Sequence, residues 1–411
     1  MRSKAQKKVR RVSECRIGPL SVTVLPIMLA ARLGLLYATY FWVIGLLAPY
    51  WQKWLDARGL SKAEIGAIAA LMIWVKVIAN PAVAGNAARL GTRRRLLFTL
   101  ALLSVLSFQL YHWSFSIWAI AGVTILFQFA LSPLVPLMES LTVDQMRRSG
   151  IDYGRVRTFG SCAFLVAALF GGVLLEQQHP DSLLPLVTIS LLIIAGAALA
   201  LPKTPALNAT TRSRRPIRSC LREPAFLWFL AAAGFQQASH GAYYNFSTLH
   251  WTKHGISETE VGILWSLGVA VEIVFFLFSA RLTRRLDPWM LLAMASIAGI
   301  LRWTMTSLSC SLWVLYPAQS LHVFTFAFSH LGAMRYIEKW MPEELTPPAQ
   351  GLYSAVGFGL LLGLATLGSG LIYDSFLGYS FLPMAAMCTV ALFAALKLRQ
   401  RARLNAARPA P

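Results

Sequence analysis

Charge is scarce in this 411-residue sequence, and acidic charge is scarcest. Asp, Glu, Lys and Arg together make up 13% of the chain, with 17 acidic residues against 38 basic ones. A soluble domain is about one quarter charged, so a soluble globular surface is excluded. Cysteine is also sparse. Cys15, Cys162, Cys220, Cys310 and Cys388 are odd in number and scattered, with no metal-ligand spacing, so no disulfide framework and no metal site is indicated. No GxxxxGK[ST] loop occurs, which argues against ATP hydrolysis by this chain. No HExxH and no cysteine/histidine cluster is found, and the loops are too short for a soluble catalytic module. An enzyme is therefore not expected, nor is a cofactor. A sensor would need an added signalling domain, and none is evident.

What is present is apolar sequence. Hydrophobic residues make up 56% of the chain and fall in runs of about twenty, the length that crosses a bilayer core as a helix. Twelve spans are expected. Six lie near 33–53, 63–84, 95–112, 115–137, 157–176 and 183–201. Six more lie near 225–250, 259–280, 289–308, 312–333, 351–373 and 379–398. The net charge of +21 invites a nucleic-acid reading, but the positions of the charges oppose it. With the N-terminus inside, four basic residues face outward (Lys53, Arg58, Lys62 and Lys253), two lie within spans (Lys76 and Arg302), and all others face the cytoplasm. This is the positive-inside pattern. A multi-pass protein of the bacterial inner membrane is expected, with both termini cytoplasmic, lipid around it and no nucleic-acid partner.

Residues 1–32 read as a cytoplasmic tail, or as a start assigned too early, with Met28 as the true start. From there the chain repeats. "GLSKAEIG" (59–66) and "GISETEVG" (255–262) lie 196 positions apart, each holding a Ser-x-x-Glu capping box. "ARLGTRR" (88–94) is echoed by "ARLTRR" (280–285). The expected architecture is all-α: a six-helix bundle over 33–201, a cytoplasmic linker over 202–224, a second bundle over 225–398 and a tail over 399–411. Such duplicated halves are a transporter design, with substrate near the midplane between them.

Charged residues inside a membrane are costly, so they are paired or functional. Those found are Lys76, Glu139, Arg157, Glu272 and Arg302, with His322 and His330 beside them. Glu139 and Arg157 end adjacent spans and are able to pair. Arg157 either switches between Glu139 and a substrate carboxylate through its planar fork, or snorkels to the inner surface. Glu272, Arg302 and His322 lie on three successive helices. They form either a proton-handling network or a structural charge cluster. Lys76 is an extra cavity charge or a snorkelling lysine. His330 reads as a packed histidine. "AYYNF" (242–246), "LLYATYFW" (35–42) and Trp265 supply rings for a cavity wall. Gly359 and Gly363 read as close helix packing.

These residues sit in blocks that resemble a known family: "SPLVPLMESL", "DYGRVRTFGS", "GAYYNFS", "GILWSLGVAVEI", "LRWTM" and "LHVFTFAFSHLGAMRYI". The chain resembles the major facilitator superfamily, and within it the 3-phenylpropionic acid permeases, which are similar to lactose-permease-type proton symporters. The resemblance implies the major facilitator fold and a monomeric importer of a small aromatic carboxylate, with the proton as coupling ion. It implies substrate binding at Glu139 and Arg157, with Phe164, Tyr243 and Trp265 in the wall. It implies proton coupling at Glu272, Arg302 and His322. Three departures stand out. Thr325 replaces the group's glutamate one turn after the histidine, which moves proton acceptance to Glu272. Phe164 replaces a sugar-stacking tryptophan. Ala88 replaces the Asp of the loop motif between spans 2 and 3. A neutral solute, such as a sugar or nucleoside, and an exporter remain as alternatives.

Overall fold

The computed structural model describes residues 19–86, 92–149, 152–201 and 217–406. Among these residues all regular structure is helical. The first half contains α1 (Pro19–Ala57), α2 (Lys62–Asn86), α3 (Arg93–Gln109), α4 (Ile117–Ser149), α5 (Tyr153–Gln177) and α6 (Leu183–Leu199). In the second half, α7 is split into Pro224–Ala238 and Gly241–Lys253. It is followed by α8 (Glu258–Leu282) and α9 (Pro288–Leu308). The next helix, α10, runs from Leu312–Ser320 through a π-helical turn, Val323–Phe328, to Ser329–Trp340. Likewise α11 joins Thr346–Tyr353, a π-helical turn Ser354–Leu361 and Leu362–Phe376, and α12 is Leu382–Ala406.

Nine of the described stretches are long and apolar enough to cross a membrane, and the last, Glu343–Arg401, holds both α11 and α12. The helices α7 and α10 are interrupted and fall outside that count. Among the described residues the fold is thus twelve transmembrane helices in two sets of six. Residues 19–32, expected to be part of a tail, form the beginning of α1. The expected linker lies mostly outside the described residues, as do Ala88 and most of the 88–94 echo.

The duplication is written into the loops. Gly59 and Gly255 both have positive φ, 83° and 85°, which glycine adopts without steric cost. Each ends a helix in the same way. Leu60 N–H reaches Leu55 O at 3.3 Å, and Ile256 N–H reaches Trp251 O at 3.1 Å, the closure of a Schellman motif. Each is followed by the capping box. Ser61 and Ser257 accept from the Glu64 and Glu260 backbone, and those carboxylates accept in return. All four landmarks are offset by 196.

The halves meet through α5 against α8 and α2 against α11, pairs that the duplication interchanges. Small residues permit this. A Cβ on Gly172 would lie 2.3 Å from Glu258 O, and one on Gly370 would lie 2.8 Å from Gly66 Cα. Polar contacts between the halves cluster at the end bearing the α1–α2 and α7–α8 loops. Lys53 pairs with Glu258. The Thr259 N–H donates to Glu176 at 3.3 Å, and Gln52 Nε2 donates to Asn245 at 2.9 Å. At the opposite end, rich in arginine, the ion pairs stay within a half: Arg93 with Asp144 and Lys339 with Asp287. Among the described residues the molecule is therefore latched at its arginine-poor end and unlatched at its basic end.

Candidate functional site

A cavity of about 370 Å³ lies between the halves, within the range of small-molecule sites. The first half contributes Tyr40, Trp51, Gln52, Lys76, Gln128 and Phe164. The second contributes Tyr243, Tyr244, Asn245, Trp265, Glu272 and His322. An aromatic knot fixes the Trp51 wall. Trp51 stacks on Trp54 at 4.5 Å between centroids, and Tyr111 stands edge-on to both. On the other side Tyr243 stacks on Trp265 at 4.8 Å. The Gln52–Asn245 bond spans the two halves at the cavity wall.

Charge in this cavity is simple. Glu272 is the one carboxyl group and Lys76 the one ammonium among its described lining residues. Lys76 borders the cavity and makes no ion pair among the described residues.

Behind Glu272 stands a dry polar cluster in the second half. Arg302 is 0% exposed. Its NH1 donates to His322 Nδ1 and to Thr325 Oγ1, each at 2.9 Å, and its NH2 donates to Gln319 Oε1 at 2.9 Å. The guanidinium also lies over Tyr243 and Trp303, 4.6 and 4.4 Å from the ring centroids. Arginine only donates, so His322 Nδ1 must accept, which fixes the tautomer. His322 Nε2 then carries the hydrogen, and it faces Glu272 Oε2 at 3.6 Å. A second proton on His322 would break the Arg302 bond, whereas Glu272 takes one without disturbing the cluster. The helix breaks serve this cluster. His240 sits at the break in α7, with Nε2 3.2 Å from Thr325 Oγ1, and His322 precedes the π-helical turn of α10. Irregular backbone at membrane depth is tolerated where protein surrounds it.

The residues singled out from the sequence divide into two groups. Phe164, Tyr243, Trp265, Glu272, His322 and Lys76 all line the cavity, and Arg302 supports it from behind. Arg157 and Glu139 do not line it. Arg157 lies against the first half, its guanidinium 4.1 Å from the Phe41 ring centroid and 5.9 Å from that of Tyr37. Among the described residues no ion pair joins it to Glu139. His330 packs against Phe326, and Arg335 bonds the Thr283 backbone and hydroxyl, each at 2.7 Å. Sequence reasoning missed His240, Gln52, Gln128, Asn245 and Gln319. The signal was available, because amides and imidazoles embedded in apolar runs carry the same cost as charges in kind, if less in degree.

The family described as MFS_1 like matches residues 30–382. This chain belongs to that family, within the major facilitator superfamily. It is 32% identical over 378 residues to an Escherichia coli (strain K12) protein described as "Probable 3-phenylpropionic acid transporter", covering 88% of this chain and 96% of that one. It is 27% identical over 373 residues to the maltose permease of Geobacillus stearothermophilus, covering 90% and 94%. Among solved structures, the nucleoside transporter NupG superposes with a TM-score of 0.76 at 17% identity, over 90% of this chain and 99% of that one. A bacterial homologue of the lysosomal transporter Spinster superposes with a TM-score of 0.68 at 14% identity. At those identities the likeness is one of fold. This major facilitator protein is accordingly a membrane transporter by family.

Proposed function

We propose that this MFS_1-like protein imports a small aromatic carboxylate together with a proton, by alternating access between its two halves. The observation that carries the reading is the pairing of Lys76, a cavity cation with no ion partner among the described residues, with walls of Tyr40, Phe164, Tyr243 and Trp265. An anion with an aromatic body satisfies both. The E. coli relative described as a "Probable 3-phenylpropionic acid transporter" supports the same class.

Orientation follows from charge. The basic end faces the cytoplasm by the positive-inside rule, so the latched end is the outer one. In the cycle, Glu272 takes a proton from outside and becomes neutral beside His322. Substrate enters with its carboxylate toward Lys76. The Lys53–Glu258 latch forms as the outer end closes, and substrate and proton leave inward. Arg157 lies in the first turns of α5, near that helix's cytoplasmic end.

A second reading has its own observation. The amides Gln52, Gln128 and Asn245 in the wall suit hydroxyl groups, and maltose permease is a relative. A thermal-shift panel separates the two. Aromatic acids raise the melting temperature of the purified carrier by mass action, and sugars and nucleosides do not. The reverse order would refute the acid reading.

A further inference from the structure

Three side chains that transport does not use meet at the arginine-poor end: His250, His254 and Cys310. Their ligand atoms all lie within 4.8 Å of one another, although no motif in the sequence links them. His250 lies on the last turn of α7 and His254 caps that helix four residues on, which puts them on one side, and their ring centroids are 4.4 Å apart. Cys310 is a free, partly buried thiol on the α9–α10 turn. All three border a pocket of about 460 Å³.

The rings are oriented from behind. His254 Nδ1 lies 2.7 Å from the His250 carbonyl oxygen. A carbonyl only accepts, so Nδ1 holds the hydrogen and Nε2 presents its lone pair. His250 Nδ1 lies 3.0 Å from the Tyr373 hydroxyl, which leaves its Nε2 as the free nitrogen. Such outer-shell bonds fix the tautomer and direction of metal-binding imidazoles. The backbone also clears the approach. Gly378 follows Leu377, whose φ is 47°, and a Cβ on Gly378 would sit 3.1 Å from His250 Nε2.

We infer that His250, His254 and Cys310 form a binding site for a borderline transition-metal dication, Zn²⁺ by ligand set. Two imidazole nitrogens and one thiolate are three of the four ligands of a tetrahedral zinc site, and water takes the fourth position. Calcium and magnesium want oxygen ligands and are excluded by the same set. Binding exchanges the Cys310 S–H bond for S–Zn and releases that proton to water. The ligands come from α7 and the α9–α10 turn, with Tyr373 of α11 behind them. The metal therefore braces the second half and does not bridge the halves. The site stands independently of the substrate proposed above.

The test uses the reduced, full-length carrier in detergent, titrated with ZnCl₂ by calorimetry and with Co²⁺ as an optical probe. One Zn²⁺ per chain is expected, and Co²⁺ should give a sulfur-to-metal charge-transfer band. Cys310→Ser should abolish that band and weaken Zn²⁺ binding at least ~100-fold, and Tyr373→Phe should weaken it on the order of tenfold. His254 is exposed, so His254→Ala should fold normally and still lose the metal. His112→Ala, at an exposed histidine of the same end, should bind as the unaltered protein does. Zn²⁺ should also slow alkylation of Cys310, read by peptide mass spectrometry, while exposed Cys162 reacts unchanged. Equal zinc affinity in the unaltered protein and in His254→Ala, or alkylation of Cys310 indifferent to zinc, would overturn the inference.

Discussion

Replacing Lys76 by methionine keeps the side-chain length and removes the one ammonium group of the cavity. Two unit charges 4 Å apart attract by about 1 kcal/mol in water and about 4 kcal/mol at an effective dielectric near 20. Lys76 borders a cavity with polar as well as apolar lining, so the gain lies between these limits. A loss of about 1–3 kcal/mol is expected for a carboxylate ligand, roughly five- to 150-fold in Kd. Calorimetric titration with 3-phenylpropionate and with 3-phenyl-1-propanol, its uncharged analogue of nearly the same size, reads the effect. Lys76→Met should weaken the acid by that factor and leave the alcohol nearly unchanged. Parallel losses would mean that Lys76 shapes the cavity without reading charge. No loss for the acid, with a large loss in Arg157→Lys, would return the clamp to Arg157 and refute the placement argued from the cavity.

Three further outcomes are expected. Glu272→Gln, which mimics the protonated carboxyl, should leave substrate exchange intact while accumulation stops following the pH gradient. Accumulation that still follows the gradient would move the proton elsewhere. Arg302→Lys keeps the charge but not the fork that bonds His322, Thr325 and Gln319, and should cost about 2–4 kcal/mol in stability. An unchanged thermal unfolding curve would contradict the buried cluster. Gly172→Leu forces a side chain against Glu258 O and should hold the outer end open, raising the labelling of an Asn245→Cys probe by a membrane-impermeant thiol reagent added outside. Unchanged labelling would remove that glycine contact from the outer closure.

Much of the fold was legible because it is local. The twin capping boxes and the runs of about twenty apolar residues each depend on neighbours in sequence. Gly359 and Gly363 were read as close packing, and Cβ atoms there would collide with Val77 and Trp74 of α2. The charges of the second half were legible for a related reason: Arg302 and His322 occupy consecutive helices, and the membrane forces such groups together. Arg157 was harder. Whether a residue one turn inside a helix faces a cavity or a neighbouring ring depends on helix tilt and on which end of the carrier is open, and neither is encoded in spacing. The breaks in α7 and α10 were also hidden, because the apolar pattern runs through them. The sequence reading found no cysteine/histidine cluster, yet His250 and His254 meet Cys310 across sixty positions of chain, a proximity that only the packing of α7 against the α9–α10 turn creates.

The central claim is that an anion and one proton cross together, taken up at Lys76 and Glu272. An anion plus a proton carries no net charge, and proteoliposomes test that directly against protein-free liposomes. With the outside acid, labelled 3-phenylpropionate should accumulate about tenfold per pH unit. An inside-negative potential of about 100 mV, worth about 2.3 kcal/mol for each charge moved, should add nothing. Accumulation driven by the potential alone, or indifferent to the pH gradient, would contradict the account.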